Sequence, residues 1–273
     1  MSKIASSLAF IGGGNMAAAI IGGLIKSGRA PGSILVVDPG EAQRAKLQAG
    51  FGVRTFGAAD TALNDAATVV WAVKPQFFQA AAAPCAAHVG GALQLSVMAG
   101  IRSDAIAQAT GAARVVRSMP NTPALIGQGI AGLFARAAVT AADRTEVEAV
   151  LAPTGRTLWV AREEDLDAVT ALSGSGPAYV FYFVEAMMQA AVEMGLSEAQ
   201  GKELALATFA GATALARGSD ETPAVLRERV TSKGGTTYAA LTSLEASGVK
   251  AAFVAALKAA QQRARELGDE FGT

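Results

Sequence analysis

From residue 6 to about residue 160, short apolar runs alternate with amphipathic stretches. Candidate strands are Leu8–Ile11, Ile34–Asp38, Thr68–Val73, Leu93–Val97, Val115–Ser118, Ile130–Phe134 and Thr157–Val160. Helical periodicity fills 15–27, 41–49, 76–87 and 103–109 between the early ones. Strands separated by helices predict βαβ units and a mainly parallel sheet covered on both faces. The last two or three strands have shorter connections, which allows an antiparallel edge.

The strand signal stops near residue 163, and helices are predicted over 165–172, 177–194, 198–217, 223–230, 236–247 and 250–267. Their boundaries carry cap chemistry. Ser197 and Gln200 form a capping box, Thr222 precedes Pro223 at a first helical position, and Gly195 and Gly248 act as breaks. The expected organisation is an α/β domain over 1–163 followed by an all-helical domain over 164–273. These alanine-rich helices carry more apolar surface than a lone layer can hide, so the second domain is expected to form an isologous dimer interface.

Hydrophobic residues make up 51% and charged residues 17% of 273, ample for a large core. Lys plus Arg and Asp plus Glu are both 23, so nothing electrostatic recommends nucleic acid or an anionic membrane as a partner. The single cysteine, Cys85, excludes an internal disulfide and a cysteine-based metal cluster, and fits a reducing compartment. Lys3 followed by Leu8–Ile25 resembles a signal peptide, but Gly12, Gly13, Gly14 and Asn15 interrupt the apolar block. The expected location is the cytoplasm.

Phe10-Ile11-Gly12-Gly13-Gly14-Asn15-Met16-Ala17 reads as G-x-G-x-x-A directly after a strand and opening a helix. Gly12 permits the tight turn, Gly14 lets the backbone approach a pyrophosphate, and Ala17 allows close helix–strand packing. The next strand ends in Asp38, where an acidic residue hydrogen-bonds a ribose hydroxyl. The fold class is therefore α/β, with an N-terminal Rossmann-type dinucleotide-binding domain and an all-helical dimerisation domain. Asp38 favours a free ribose 2′-hydroxyl and opposes a 2′-phosphate, yet Pro39-Gly40 and Arg44 leave room for rearrangement around a phosphate.

Ligands of open α/β sheets lie at the carboxyl ends of the strands. Ala72-Val73-Lys74-Pro75, Met98-Ala99 and the proline-flanked Asn121-Thr122 all follow strands on that edge. Cys85 and His88 follow a helix and are expected on the opposite edge, away from the cofactor. No tyrosine among Tyr179, Tyr182 and Tyr238 has a lysine four residues on, which removes a Tyr/Lys proton relay. A dinucleotide site without a strong general acid suits hydride transfer to an electrophile that arrives protonated, such as an iminium. In the helical half, Thr170–Tyr179 is a polar, glycine-interrupted break. Thr231-Ser232-Lys233-Gly234-Gly235-Thr236-Thr237 is a second, with small residues apt for an anion-binding nest or a plain helix cap.

Together these motifs resemble the Δ1-pyrroline-5-carboxylate reductases over essentially the whole chain. The likeness rests on Phe10–Ala17, Val73-Lys74-Pro75, Met119–Pro123, Leu172–Tyr179 and Val230–Thr237, with Leu241 and Glu245 beyond. It implies reduction of 1-pyrroline-5-carboxylate to L-proline with NADPH or NADH, and a homodimer through the helical domain, extending to a ring of dimers such as a decamer. Ile11, Gly12, Gly13, Gly14, Asn15, Met16, Asp38, Ala72, Val73, Lys74, Pro75, Met98 and Ala99 would bind the cofactor. Ser232, Gly235, Thr236, Thr237 and Asn121 would bind substrate, Thr237 also acting as the catalytic group at the pyrroline nitrogen. Two positions depart from the pattern: Lys233 replaces a common proline, and Ala59 replaces an asparagine that contacts the cofactor. A β-hydroxyacid dehydrogenase, which shares this plan, would carry a lysine on the helix Tyr179–Met194, and there is none. A nicotinamide-binding regulatory protein would have no need of the Ser232–Thr237 turn.

Overall fold

The computed structural model describes residues 7–271, so the stretch around Lys3 lies outside it. The chain divides into two compact units. The first holds β1 (Leu8–Ile11), α1 (Asn15–Lys26), β2 (Ile34–Val37), α2 (Glu41–Phe51), β3 (Arg54–Phe56), β4 (Thr68–Trp71) and α3 (Phe78–Val89). It continues through β5 (Leu93–Ser96), α4 (Ser103–Thr110), β6 (Val115–Met119), β7 (Gly129–Ala135), α5 (Ala141–Leu151), β8 (Gly155–Trp159) and α6 (Asp165–Val169). The sheet order is β3-β2-β1-β4-β5-β6-β7-β8. Strands β1 to β6 run parallel, β7 is antiparallel to β6, and β8 is parallel to β7. The winding direction reverses between β1 and β4, the place where such sheets open a crevice.

Because strand side chains alternate, β1 feeds two cores. Leu8 and Phe10 join Ile20, Ile21, Ile34, Val36 and Leu47 on one face. Ala9 and Ile11 join Leu35, Val69, Trp71, Phe78 and Ile106 on the other. The buried polar side chains of Trp71 on β4 and Gln94 on β5 are paired. Trp71 Nε1 donates to Gln94 Oε1 at 2.8 Å, and Gln94 Nε2 donates to the carbonyls of Val89 and Ala92.

Two elements escape the hydrophobic pattern. β3 has three residues on the sheet edge and an exposed Arg54, so no apolar run announces it. α5 is weakly amphipathic, although Thr140 and Asp143 form a full capping box at its start. It is the crossover that makes β8 parallel to β7 and confines the antiparallel pairing to β6–β7.

The compact units also part from a division at 163/164. α6 and the π-helical turn Thr170–Gly174 belong with the sheet, as do the residues from Ala260 onward. Packing explains both. A Cβ on Gly132 of β7 would lie 2.7 Å from Val169 Cγ1, and Leu166 is fully buried. At the other end, Arg102 donates to the Gly268 carbonyl at 3.3 Å and pairs with Asp269 at 2.5 Å.

The second unit, 176–259, holds α7 (Gly176–Glu193), α8 (Glu198–Arg217), α9 (Pro223–Arg229), α10 (Thr236–Ala246) and the first half of α11 (Val249–Phe271). Its caps follow the sequence closely. Ser197 and Gln200 exchange hydrogen bonds, the Thr222 hydroxyl accepts from Val225 N–H, and Gly195 and Gly248 have positive φ. Tyr179, Phe183 and Phe253 meet edge to face at 5.6–5.8 Å between centroids. No single helix among the described residues is long and apolar enough to cross a membrane.

Glu163 ties the first unit together. α4 begins after Arg102, whose side chain offers no cap, and Glu163 supplies one instead. Its carboxylate accepts from Ser103 N–H at 2.7 Å, from the Ser103 hydroxyl at 2.5 Å and from Arg117 Nη1 at 2.7 Å. Burial pushes its pKa up, but the hydrogen bonds from Ser103 and the Arg117 charge outweigh this and hold it below the usual carboxylate range. Replacing Glu163 with alanine would leave Arg117 buried without its partner, at a cost of about 3–5 kcal/mol. The stabilisation is complete above the unfolded pKa, about 4.3, and is lost as pH falls through the lower folded value. Melting curves should therefore show a wide Tm gap between wild type and Glu163→Ala at pH 7 that narrows below about pH 4.

Candidate functional site

The loop between β1 and α1 is folded against its neighbours by main-chain bonds. Gly12 N–H donates to the Val37 carbonyl and Ala72 N–H to the Ile11 carbonyl, both at 2.8 Å. Gly12 has φ +94, and a Cβ there would lie 2.7 Å from the Ala72 carbonyl oxygen, so only glycine fits. Gly14 is the N-cap of α1 and differs in kind: a Cβ there would meet nothing within 4 Å. The first-turn N–H groups of α1 have no partner inside the helix, and no acidic side chain lies in that turn. A positive helix end thus faces open space, as a pyrophosphate requires.

Beside this loop lies a cleft of about 530 Å3, within the range of small-molecule sites. Of the expected cofactor residues, Ile11, Gly12, Gly14, Asp38, Ala72, Val73 and Lys74 line it. Gly13 lies under the loop, where a Cβ would strike Leu47. Asn15 and Met16 form the first turn of α1, and Pro75 opens the 3-10 turn Pro75–Phe77; none of these lines the cleft. Ala99 is exposed after β5, whereas Met98 is buried in the second core, which leaves it only a backbone contact to offer.

The opposite wall was not read from the sequence. Phe77, just before α3, and Ala80, Ala81, Pro84 and Cys85 along one side of that helix line it, with 57–59 from the loop after β3. Their spacing of three and four residues is a helical face and was the available signal. The expectation that Cys85 lies away from the cofactor is corrected, because the strand-edge rule ignores that α3 lies across the sheet. Cys85 is 1% exposed, and burial pushes its thiol up to about 11, which keeps it protonated as a packing group. His88, one turn further, has its Nδ1 2.8 Å from Asn64 Oδ1 and does not line the cleft.

The Thr231–Thr237 turn leads into α10. Gly234 has φ +75, and a Cβ on Gly235 would lie 2.6 Å from Ser232 Oγ. Gly235 caps the helix without a side-chain hydrogen bond. The N–H groups of Thr236, Thr237 and Tyr238 are thus left without helical partners. Thr237 is half-buried and Ser232 exposed. One expected donor is lost: Gly235 N–H donates to the Ser232 carbonyl at 3.0 Å, because closing this tight turn uses it. Asn121 is also partly committed, its Oδ1 accepting from Ile130 N–H at 3.0 Å at the start of β7.

A 3-2-1-4-5-6 parallel arrangement with a glycine turn, an open helix N-terminus and an acidic residue after β2 defines a Rossmann-type, NAD(P)-dependent oxidoreductase. Residues 7–100 match the family described as NADP oxidoreductase, coenzyme F420-dependent, and residues 163–267 match pyrroline-5-carboxylate reductase dimerisation. The pyrroline-5-carboxylate reductase of Pseudomonas aeruginosa is 44% identical over 97% of this chain and 98% of its own. The solved structure of a pyrroline-5-carboxylate reductase from Coxiella burnetii is 35% identical, with a TM-score of 0.91 over 96% of this chain and 98% of that one. The Plasmodium falciparum pyrroline carboxylate reductase with NADP bound is 26% identical, with a TM-score of 0.85 over 97% and 98%. The chain belongs to the pyrroline-5-carboxylate reductase family and carries its dimerisation domain.

The contrast between Gly12 and Gly14 gives a test of the cleft. Gly14→Ala should fold with an unchanged Tm, since the methyl group enters open space at an ordinary φ of −65. NADH and NADPH binding, followed by nicotinamide fluorescence, should weaken tenfold or more, about 1.4 kcal/mol, as the methyl fills the space kept for phosphate.

Proposed function

We propose that the protein reduces 1-pyrroline-5-carboxylate to L-proline with NAD(P)H. The likeness to the Pseudomonas aeruginosa reductase, 44% identical across nearly all of both chains, carries this reading. The residues present fit the dinucleotide: Gly12 and Gly14 shape a cradle for its pyrophosphate, and Ala72, Val73 and Lys74 border it. When bound, NAD(P)H supplies the hydride that adds to the imine carbon. The remaining tasks, holding the substrate and stabilising charge, fall to the chain.

The uncapped start of α10 suits the substrate carboxylate. The free N–H groups of Thr236, Thr237 and Tyr238 and the Ser232 hydroxyl are the donors, while Gly235 contributes the turn that exposes them. A carboxylate held there brings the adjacent ring nitrogen to the Thr237 hydroxyl. That hydroxyl accepts from the protonated iminium, the form that makes the imine carbon electrophilic, or donates to the product amine.

In this reading residues 1–163 form the NAD(P)-binding domain, and 164–273 form the dimerisation and substrate domain. The exposed apolar side chains of α7 and α8, among them Phe181, Tyr182, Val192, Leu204 and Leu215, support a homodimer. We further propose a ring of dimers, up to a decamer, and a cytoplasmic location.

NAD(P)H oxidation dependent on added pyrroline-5-carboxylate tests the activity directly; no turnover would overturn it. Thr237→Ala removes one hydrogen bond and leaves the main-chain donors. It should cost about 1.5–3 kcal/mol in transition-state stabilisation, roughly 10- to 200-fold in kcat/KM, with cofactor affinity unchanged. Normal kinetics with a lowered Tm would mean that Thr237 serves only the folding of the first turn of α10. On a calibrated sizing column the active protein should elute as a dimer or larger, and an active monomer would remove the assembly proposal.

A further inference from the structure

We infer that the protein takes NADH in preference to NADPH, and that the fixed carboxylate of Asp38 makes the choice. The inference deepens the cofactor assignment above and rests on it. Asp38 follows β2 and lines the dinucleotide cleft. Both of its carboxylate oxygens are anchored to main chain: Oδ2 accepts from Gly13 N–H and Oδ1 from Gly40 N–H, each at 2.8 Å. An ionised carboxylate has about four acceptor positions, so each oxygen keeps one for a hydroxyl of the adenosine ribose. Those two bonds also prevent the group from swinging out of the cleft.

A 2′-phosphate at the same place would bring about −1.5 to −2 charges against a carboxylate that cannot withdraw. Arg44, the cation closest in sequence, donates through Nη1 to the main-chain carbonyls of Asp38 at 2.7 Å and Pro39 at 2.8 Å. Its Nη1 is therefore committed to the loop, and the guanidinium lies beside Gly57, 3.4–3.6 Å from where a Cβ there would sit. The facing segment is Gly57-Ala58-Ala59, which offers no side-chain donor. Glu41, in the first turn of α2, adds a further negative charge. Lys74 lines the cleft too, but it follows β4, two strand spacings or about 10 Å from the end of β2. The room for rearrangement that Pro39-Gly40 and Arg44 allow in the sequence is thus closed by hydrogen bonds in the fold.

The experiment is equilibrium titration of the full-length protein with NADH and with NADPH by nicotinamide fluorescence, alongside kcat/KM for each. The wild type should bind NADH at least tenfold more tightly and show the same order in kcat/KM. Asp38→Ser should shift the NADPH:NADH ratio at least tenfold toward NADPH. Asp38→Asn, which keeps the size and one acceptor for the loop, should shift it in the same direction and guards against a folding defect in the serine variant. Arg44→Ala should leave the ratio unchanged. Equal or tighter NADPH binding by the wild type, an unmoved ratio in both Asp38 variants, or a selective loss of NADPH binding in Arg44→Ala would each overturn the inference. Because the titrations need no pyrroline substrate, they decide cofactor choice even where the reductase assay fails.

Discussion

The turn at Gly12 is the constraint on which the first unit depends. Three strand ends converge there, β2 and β4 on either side of β1, and main-chain hydrogen bonds run across both gaps. The approach leaves no volume for a side chain, since a Cβ would sit against the Ala72 carbonyl. With that turn closed, Gly14 and the start of α1 face outward over the sheet edge, and Gly13 N–H reaches the Asp38 carboxylate. One residue without a side chain thus fixes both the start of α1 and the Asp38 carboxylate beside it.

The next layer is electrostatic and long-range. The loop from β5 to α4 has no local cap, and residues far along the chain hold it. Glu163 caps Ser103 and pairs with Arg117, while Gly268 and Asp269 hold Arg102. Gly100 in the same loop has φ +77 and packs closely against the Leu267 carbonyl. Buried charges are costly to desolvate, and the Arg117–Glu163 pair is offset by direct hydrogen bonds, from Arg117 Nη1 and from Ser103 to the carboxylate. The arrangement explains why the last turns of α11 belong with the sheet although the rest of that helix does not.

The helical unit is built on a different balance. α7 buries only Val184 and Ala191, and much of its aromatic and aliphatic surface is exposed. Small residues set the contact of α7 with α8: a Cβ on Gly201 would lie 2.8 Å from that of Ala191. Close helix packing of this kind leaves the outer faces apolar, and such faces are stable in water when another copy covers them. The family match to a dimerisation domain falls on this part of the chain.

Much of the architecture was legible in the residues themselves. Apolar runs marked seven of the eight strands, and α7, α8 and α9 began and ended within a residue of the ranges expected from periodicity and caps. These are local properties, set by side-chain periodicity and by the few residues that satisfy a helix end. The fingerprint at Gly12–Ala17 and the acid at Asp38 were legible for the same reason. β3 was not, because a three-residue edge strand is made by its neighbour β2 and not by its own pattern. Tertiary structure alone decided that α3 supplies a wall of the cleft and that Gly235 N–H is used to close a turn. It also decided that Arg44 donates through Nη1 to the main-chain carbonyls of Asp38 and Pro39. Each of these depends on which donor or which helix face meets which partner in space, and residue type and spacing carry no record of that.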